Sequence, residues 1–371
     1  MKKLLSIIIS VLLFGCVSEY IPKGVNEARD VLVIEGFVTN GESVFKLSRS
    51  VGLLDDLRNS NNHVNDAAVY VEKESGEQIQ GFLSANGTYT VVTGELDAET
   101  KYRFYAVVGG EEYRSEFLAP IFTSKIDSIN YIKESRGEPV SIHVSTRDLK
   151  EQSRYYLWSY QEHWEVKAEL FANYGLYDGV FGNFSLMTSR NTYYCWRNDS
   201  SITMHLASTE KLSENFINQK KLKEIPSHDS RLSVLYYIKV KQMQIRREAY
   251  DCFYNIQKNI EQMGGIFSPM PSEVRGNIIC STNPDLPVIG YVDVTTTATE
   301  EMFINGSGLY EPKYNNDDCG SRITAEPEYA YPRYAFYSFR PLVYAPHTCV
   351  DCRTIPGATK NRPDFWPNEH Y

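Results

Sequence analysis

From Val31 onward, apolar residues fall in short β-branched or alternating runs separated by turn residues, the pattern of half-buried strands. Val31-Leu32-Val33-Ile34, Gly36, an Asn40-Gly41 turn and Val44-Phe45-Lys46-Leu47 predict two strands joined as a hairpin. Ala67–Val71, Gly87–Val92 and Thr100–Val108 continue the series. In the last run Tyr102, Phe104 and Ala106 alternate with Lys101, Arg103 and Tyr105, which places one face in a core and one in water. Glu111–Phe117, after Gly109-Gly110, closes a further hairpin. The polar stretch Asp55–Asn65 reads as a long exposed loop.

Pro120 and the turn to Asp127 mark a boundary. Beyond it, Ile126, Ile129 and Tyr131, then Val140, Ile142 and Val144, start a second β-rich region. Arg154–Val166 is crowded with Tyr and Trp and is long for one strand. Phe171–Asn191 holds Gly175, Gly179 and Gly182 and reads as a loop or irregular hairpin. Leu232–Ile245 returns to strand character. Arg246–Met263 carries Ala249, Phe253, Ile256 and Ile260 at helical spacing, and Gly264-Gly265 supplies the stop. Prolines 269, 271, 284 and 287 then bracket a link to a strand at Val288–Val294. Leu96, Thr100 and Tyr102 resemble the tyrosine-corner region of immunoglobulin-type sandwiches, where a phenol ties a crossing loop. The expected fold is all-β: two immunoglobulin/fibronectin-like β-sandwich domains, at 30–120 and 121–371, the second with helix 246–263 and a cysteine-containing C-terminal loop region.

The first residues add an address. Met1-Lys2-Lys3 precedes an apolar run from Leu4 to Phe14 that is too short for the roughly 20 residues of a membrane-crossing helix, so 1–15 reads as a signal peptide. Leu13-Phe14-Gly15-Cys16 resembles the bacterial lipobox, with Phe where a small residue is usual. This makes Cys16 the lipidation candidate, acylated by fatty acids such as palmitate, and 16–29 a stalk. The chain has 371 residues with 38 Lys+Arg against 47 Asp+Glu, a formal charge of −9 that becomes −11 once Lys2 and Lys3 are removed. An acidic body argues against a nucleic-acid partner, which needs clustered positive charge.

Beyond Cys16 lie Cys195, Cys252, Cys280, Cys319, Cys349 and Cys352. An even number in an exported chain predicts disulfides, with fifteen connectivities open. Cys349-Val350-Asp351-Cys352 with His347 and Cys319 is the competing zinc reading, weakened by the absence of a second CxxC and by an oxidising compartment. GxSxG, HExxH, Walker and GxGxxG motifs are absent, so no catalytic residue and no cofactor is expected. Ser43/Lys46 and Ser208/Lys211 match SxxK without its partner motifs, and Asp55-Asp56 and Asp317-Asp318 lack calcium-loop spacing. His163 beside Trp164 reads as part of a recognition surface or as a half-buried strand histidine. Tyr156, Trp158, Tyr160 and Trp164, with Tyr174 and Tyr177, are interface candidates, the first four with core strand as the alternative.

Several segments in order resemble the Bacteroidota lipoproteins grouped as domain-of-unknown-function family 4249. They are Val31–Gly36, Asp66–Val69, Tyr193–Trp196, Gly264–Ser272 with Gly276-Asn277-Ile278, Val288–Tyr291, Cys349–Arg353 and Pro363–Pro367. The resemblance implies a lipid-anchored outer-membrane protein at the cell surface, often encoded beside a TonB-dependent transporter, with no established catalytic activity. Glu35, Gly36, Gly276 and Asn277 then read as turn and backbone positions. Asp127-Ser128-Ile129 looks like the O-glycosylation acceptor of that phylum, with Ser128 modified. The expected function is a non-enzymatic accessory or ligand-capture subunit of such a transporter. A surface hydrolase of glycan or peptide and a structural or adhesive surface subunit are the alternatives.

Overall fold

The computed structural model describes residues 30–51, 62–171, 174–177, 180–183, 192–201, 204–262, 276–311, 319, 334–339 and 342–367. Cys16, the predicted signal peptide and stalk, and most of the polar stretch 55–65 lie outside the described residues. The chain forms two compact units. Among the described residues the first takes 30–94, 101–118 and 276–292, and the second takes 95–100, 119–262 and 293–367. Residues 276–292, which the sequence places in the second domain, therefore lie in the first unit.

The first unit is a sandwich built by β1 (Leu32–Val38), β2 (Gly41–Arg49), β3 (Ala68–Lys73), β4 (Gln78–Gln80), β5 (Phe82–Ala85), β6 (Thr88–Gly94), β7 (Tyr102–Val108) and β8 (Glu111–Ser115). Two strands from the returning segment, β18 (Ile278–Cys280) and β19 (Val288–Ile289), extend its sheets. The sheet orders are β19-β1-β2-β6-β5 and β18-β8-β7-β3-β4. Alternate residues of the first sheet (Ile34, Phe45, Leu47, Val91) and of the second (Val69, Val71, Phe104, Ala106) are buried. The rings of Phe45 and Phe104 sit 4.8 Å apart across the core. This is the face-to-face packing of aligned sheets, each hiding one side of its pleat. A phenol tie is made by Tyr89, whose hydroxyl accepts the Ala67 N–H at 2.9 Å and donates to the Val64 carbonyl at 3.0 Å.

The returning segment needs glycine because its backbone lies against other backbone. A Cβ on Gly290 (φ +142°) would stand 2.0 Å from the Ile34 carbonyl oxygen, and one on Gly276 would stand 1.7 Å from the Gly290 carbonyl oxygen. Asn277 completes the contact: its carboxamide donates to the Val292 carbonyl at 2.8 Å and accepts the Val292 N–H at 2.9 Å.

The second unit contains β9 (Ile126–Ile132), β10 (Val140–Arg147), β11 (Tyr155–Lys167), β12 (Tyr174–Tyr177), β13 (Val180–Asn183), β14 (Tyr194–Ser200), β15 (His205–Ser208), β16 (Phe216–Ile225) and β17 (Leu235–Ile245). Helix α1 (Arg247–Gln262), β20 (Val292–Val294, which begins in the first unit), β21 (Ala298–Asn305), β22 (Tyr334–Phe339) and β23 (Leu342–Pro346) follow. A three-stranded sheet, β16-β10-β9, and a sheet ordered β14-β11-β17-β21, with β15 also on β11, bury one core. A further sheet runs β13-β12-β22-β23. The stretch judged long for one strand is a single strand of 13 residues. Two short partners share one of its edges, β15 along Tyr155–Trp158 and β14 along Gln161–Lys167, while β17 runs the length of the other. Phe171–Asn191 contains the β12/β13 hairpin.

Helix α1 buries Ala249, Cys252 and Phe253, spaced to form one stripe, whereas Ile260 is 62% exposed although its spacing predicted it buried. The predicted stripe thus covers only the first turns. At the helix start, buried Asp293 accepts the Arg246 N–H at 2.8 Å and is also held by the Arg246 guanidinium. Burial pushes the Asp293 carboxyl above the usual carboxylate range, and Arg246 opposes that shift.

Candidate functional site

The aromatic residues of β11 divide by parity. Even-numbered positions face the core, so Tyr156 and Trp158 are fully buried and Trp164 is 1% exposed, and Tyr160 packs against the same cluster. The interface assignment of Tyr156, Trp158, Tyr160 and Trp164 is corrected accordingly. Two of the four use their polar atoms internally: the Tyr156 hydroxyl donates to Asn215 at 2.8 Å and the Trp158 indole to Gln242 at 2.8 Å. The backbone of Tyr174 and Tyr177 forms β12, but their side chains lie outside the described residues.

Odd-numbered positions face outward, and there His163 lies in a row with Asn198 of β14, Tyr237 of β17 and Phe303 of β21. The C-terminal turn lays two more rings over this row. Tyr237 is 4.5 Å from Phe365 and 4.9 Å from Phe303, and His163 meets Phe365 edge-on at 5.2 Å. Trp366 packs on Phe303 at 5.6 Å and donates its indole N–H to the buried Glu165 at 3.3 Å. Phe365 remains 48% exposed and Phe303 39%. The result is a shelf of rings on a sheet, with Tyr237 as its buried centre. The Tyr237 hydroxyl donates to Glu301, and burial together with that bond raises its pKa.

The tail that supplies Phe365 is fixed to β14 at two places and braced within itself at a third. Cys352 is bonded to Cys195 of β14, Trp196 and Thr359 exchange backbone hydrogen bonds at 2.9 Å in both directions, and Arg362 donates to the Trp366 carbonyl at 2.8 Å. Cys349 pairs with Cys319. The two cysteines of the CxxC therefore belong to different disulfides, and the thiolates that the zinc reading needs are oxidised. Cys252 and Cys280, expected to be half-cystines, are buried free thiols in different units, Cys252 on α1 and Cys280 on β18 beside Glu111 and Thr282. Burial pushes the Cys252 thiol up to about 11.

Beside the shelf, a cavity of about 370 Å³ is lined by Gln161, His163, Asn198, Asp199 and Ser200. Burial pushes the His163 imidazole below its ordinary range, with Glu162 opposing. Asp199 is held from behind by Arg231 at 3.2 Å, and Arg231 in turn bonds Glu162 at 3.0 Å and Asp229 at 3.1 Å and lies over the Trp164 ring at 4.4 Å. Glu162, 1% exposed, also accepts from Lys223 at 3.0 Å and from the Tyr236 hydroxyl at 2.7 Å. A buried charge knot thus positions one wall of the cavity. A second cavity, about 490 Å³, gathers Glu134, Glu138 and Glu224 with His143 and Lys221. All three carboxylates are exposed, and Glu224 is paired to Lys221 at 2.8 Å. Ser128 is exposed on β9, at the edge of its sheet. Ser43, one of the SxxK serines, is buried and bonded to Thr39.

A family model described as domain of unknown function DUF4249 matches residues 18–301. The chain belongs to that family. No curated protein matches this DUF4249 chain by sequence. Among solved structures it is similar to a two-domain fibronectin type III segment from chicken tenascin, 11% identical, covering 58% of this chain and 90% of that one at a TM-score of 0.15. A DUF4785 family protein from Legionella pneumophila is 10% identical, covering 58% of this chain and 51% of that one at a TM-score of 0.16. The sandwich assignment of the DUF4249 chain stands on its own strand order and shared cores.

Sequence reasoning singled out His163 and quoted Phe365 and Trp366, but it missed Tyr237, Phe303 and Asn198. Four separate segments build the shelf, so no local spacing announces it. The one available signal was the outward parity of Tyr237 within Leu232–Ile245.

Proposed function

We propose that this DUF4249 protein is an outer-membrane lipoprotein, acylated at Cys16 and exposed at the cell surface, that serves as a non-enzymatic accessory or ligand-capture subunit of a TonB-dependent transporter. The observation that carries the reading is the exposed ring shelf on a disulfide-braced sheet, a pre-formed surface of rigid aromatics next to hydrogen-bonding groups. Tethering supports it as well. Two or three acyl chains hold a protein stably at a membrane, and confinement there raises its effective concentration at a membrane partner. No helix among the described residues is long and apolar enough to cross a membrane. Ser128, exposed on an edge strand, is open to O-glycosylation in this reading.

The test is isolation of the native membrane complex with this chain as bait, combined with mass spectrometry of its N-terminal and 127–129 peptides. Recovery of a TonB-dependent transporter and an acylated Cys16 are the expected results. An unmodified Cys16, or a bait that repeatedly returns no transporter, overturns the proposal.

A further inference from the structure

We propose that the ring shelf and its adjoining cavity in the second unit form a binding site for a neutral oligosaccharide, an inference that rests on the ligand-capture reading above. A sugar ring has apolar C–H faces and a hydroxyl-rich edge. A protein that recognises it therefore presents a flat ring to the face and fixed donors and acceptors to the edge. A singly exposed phenylalanine means little, because much of any protein surface is apolar. Here Phe365 and Phe303 are both exposed, both rest on the buried Tyr237, and Phe365 meets His163, which also lines the cavity.

The cavity supplies the complementary chemistry. Gln161 and Asn198 bring carboxamides that donate and accept, Ser200 brings a hydroxyl, and His163 brings an imidazole. The charge balance selects among ligands. Asp199 shares Arg231 with Glu162 and Asp229, burial favours the uncharged imidazole, and none of the five lining residues brings a cation to hold a phosphate or carboxylate. Hydroxyl groups are the ligand chemistry that such a wall satisfies. The rings sit on paired strands and on a tail pinned by Cys195–Cys352, so little side-chain freedom is lost on binding.

The experiment titrates the detergent-solubilised full chain with cello-, xylo-, manno- and malto-hexaose by calorimetry, with intrinsic tryptophan emission, to which Trp366 contributes, as a second readout. At least one sugar is expected to bind. Phe365→Ala and Asn198→Ala are each expected to weaken that binding by about tenfold, the scale of one lost ring contact or hydrogen bond. Phe82→Ala, on the exposed face of β5 in the first unit, leaves it unchanged. Unaltered circular dichroism and melting temperature show that each variant is folded. A folded chain that binds none of the four sugars, or a binding constant that both shelf variants leave intact, overturns the inference. The bait isolation scores the underlying reading separately. A recovered transporter with no sugar binding removes this inference alone, and sugar binding without a transporter upholds it while removing the accessory role.

Discussion

Glu162 shows how a single residue can govern the site without facing it. Its carboxylate lies on the core side of β11, holding Lys223 and Arg231, and Arg231 continues to Asp199 in the cavity wall. Removing one partner of such a knot leaves uncompensated buried charge, so Glu162→Ala is expected to cost about 3–5 kcal/mol in a urea titration. A loss below about 1 kcal/mol, the range of exposed pairs, would contradict this description. Two histidines give the unit a pH dependence. Burial lowers the pKa of both His163 and His205, the latter with Lys220 and Lys223 adding repulsion. The unfolded chain, near the ordinary 6.5, then takes up protons before the folded one does. Stability is full above that value and falls as pH drops from there toward the lowered folded values. His205→Phe keeps a ring against Tyr160, 5.6 Å away in the native stack. It should lose less melting temperature between pH 7 and 5 than the native chain, and equal losses would remove His205 from the account.

At the level of elements, the clearest requirement is the closeness of the returning segment to β1. Gly290→Ala drives a methyl into the Ile34 carbonyl at a backbone angle that side chains rarely adopt, so about 3 kcal/mol or more should be lost. Gly76→Ala, where φ is +91° but no atom lies within 4 Å, should cost only about 1 kcal/mol. Equal costs at the two positions would show that conformation rather than packing sets the demand. Strand periodicity was legible because each sheet buries one face: Phe45 and Leu47 of β2, and Tyr102, Phe104 and Ala106 of β7, alternate inward as their spacing implies. β11 was harder to read. Its outward face is partly covered as well, with Leu157 and Glu165 buried along with the inward rings, so alternation fades and its aromatics resemble a surface cluster. Ile260 misled for the opposite reason, since helical spacing continues past the turns that the sheet covers.

For the molecule as a whole, the order of units along the chain was only half visible. The crossing near Pro120 announces itself by proline and a change of pattern, but residues 276–292 return to the first unit by pairing β18 with β8 and β19 with β1, and pairing partners leave no local mark. Cysteine connectivity was illegible for the same reason, and it makes the sharpest claim about the fold. Cys195–Cys352 closes 157 residues and Cys319–Cys349 closes 30, for which chain entropy alone gives about 5 and 3.6 kcal/mol. Among the cysteines beyond Cys16, alkylation of the denatured, unreduced chain should label Cys252 and Cys280 and spare Cys195, Cys319, Cys349 and Cys352. A peptide linking Cys349 to Cys352 would break the assignment. Cys352→Ser then has two consequences that an ordinary destabilising change does not combine. It lowers the melting temperature, and it frees the strand-side anchor of the tail that carries Phe365, so protease should cut within 353–367 at temperatures where the sheets are still folded. If the tail stays protected in that variant, the Trp196–Thr359 bridge and the ring contacts hold the shelf by themselves, and the disulfide braces the core alone.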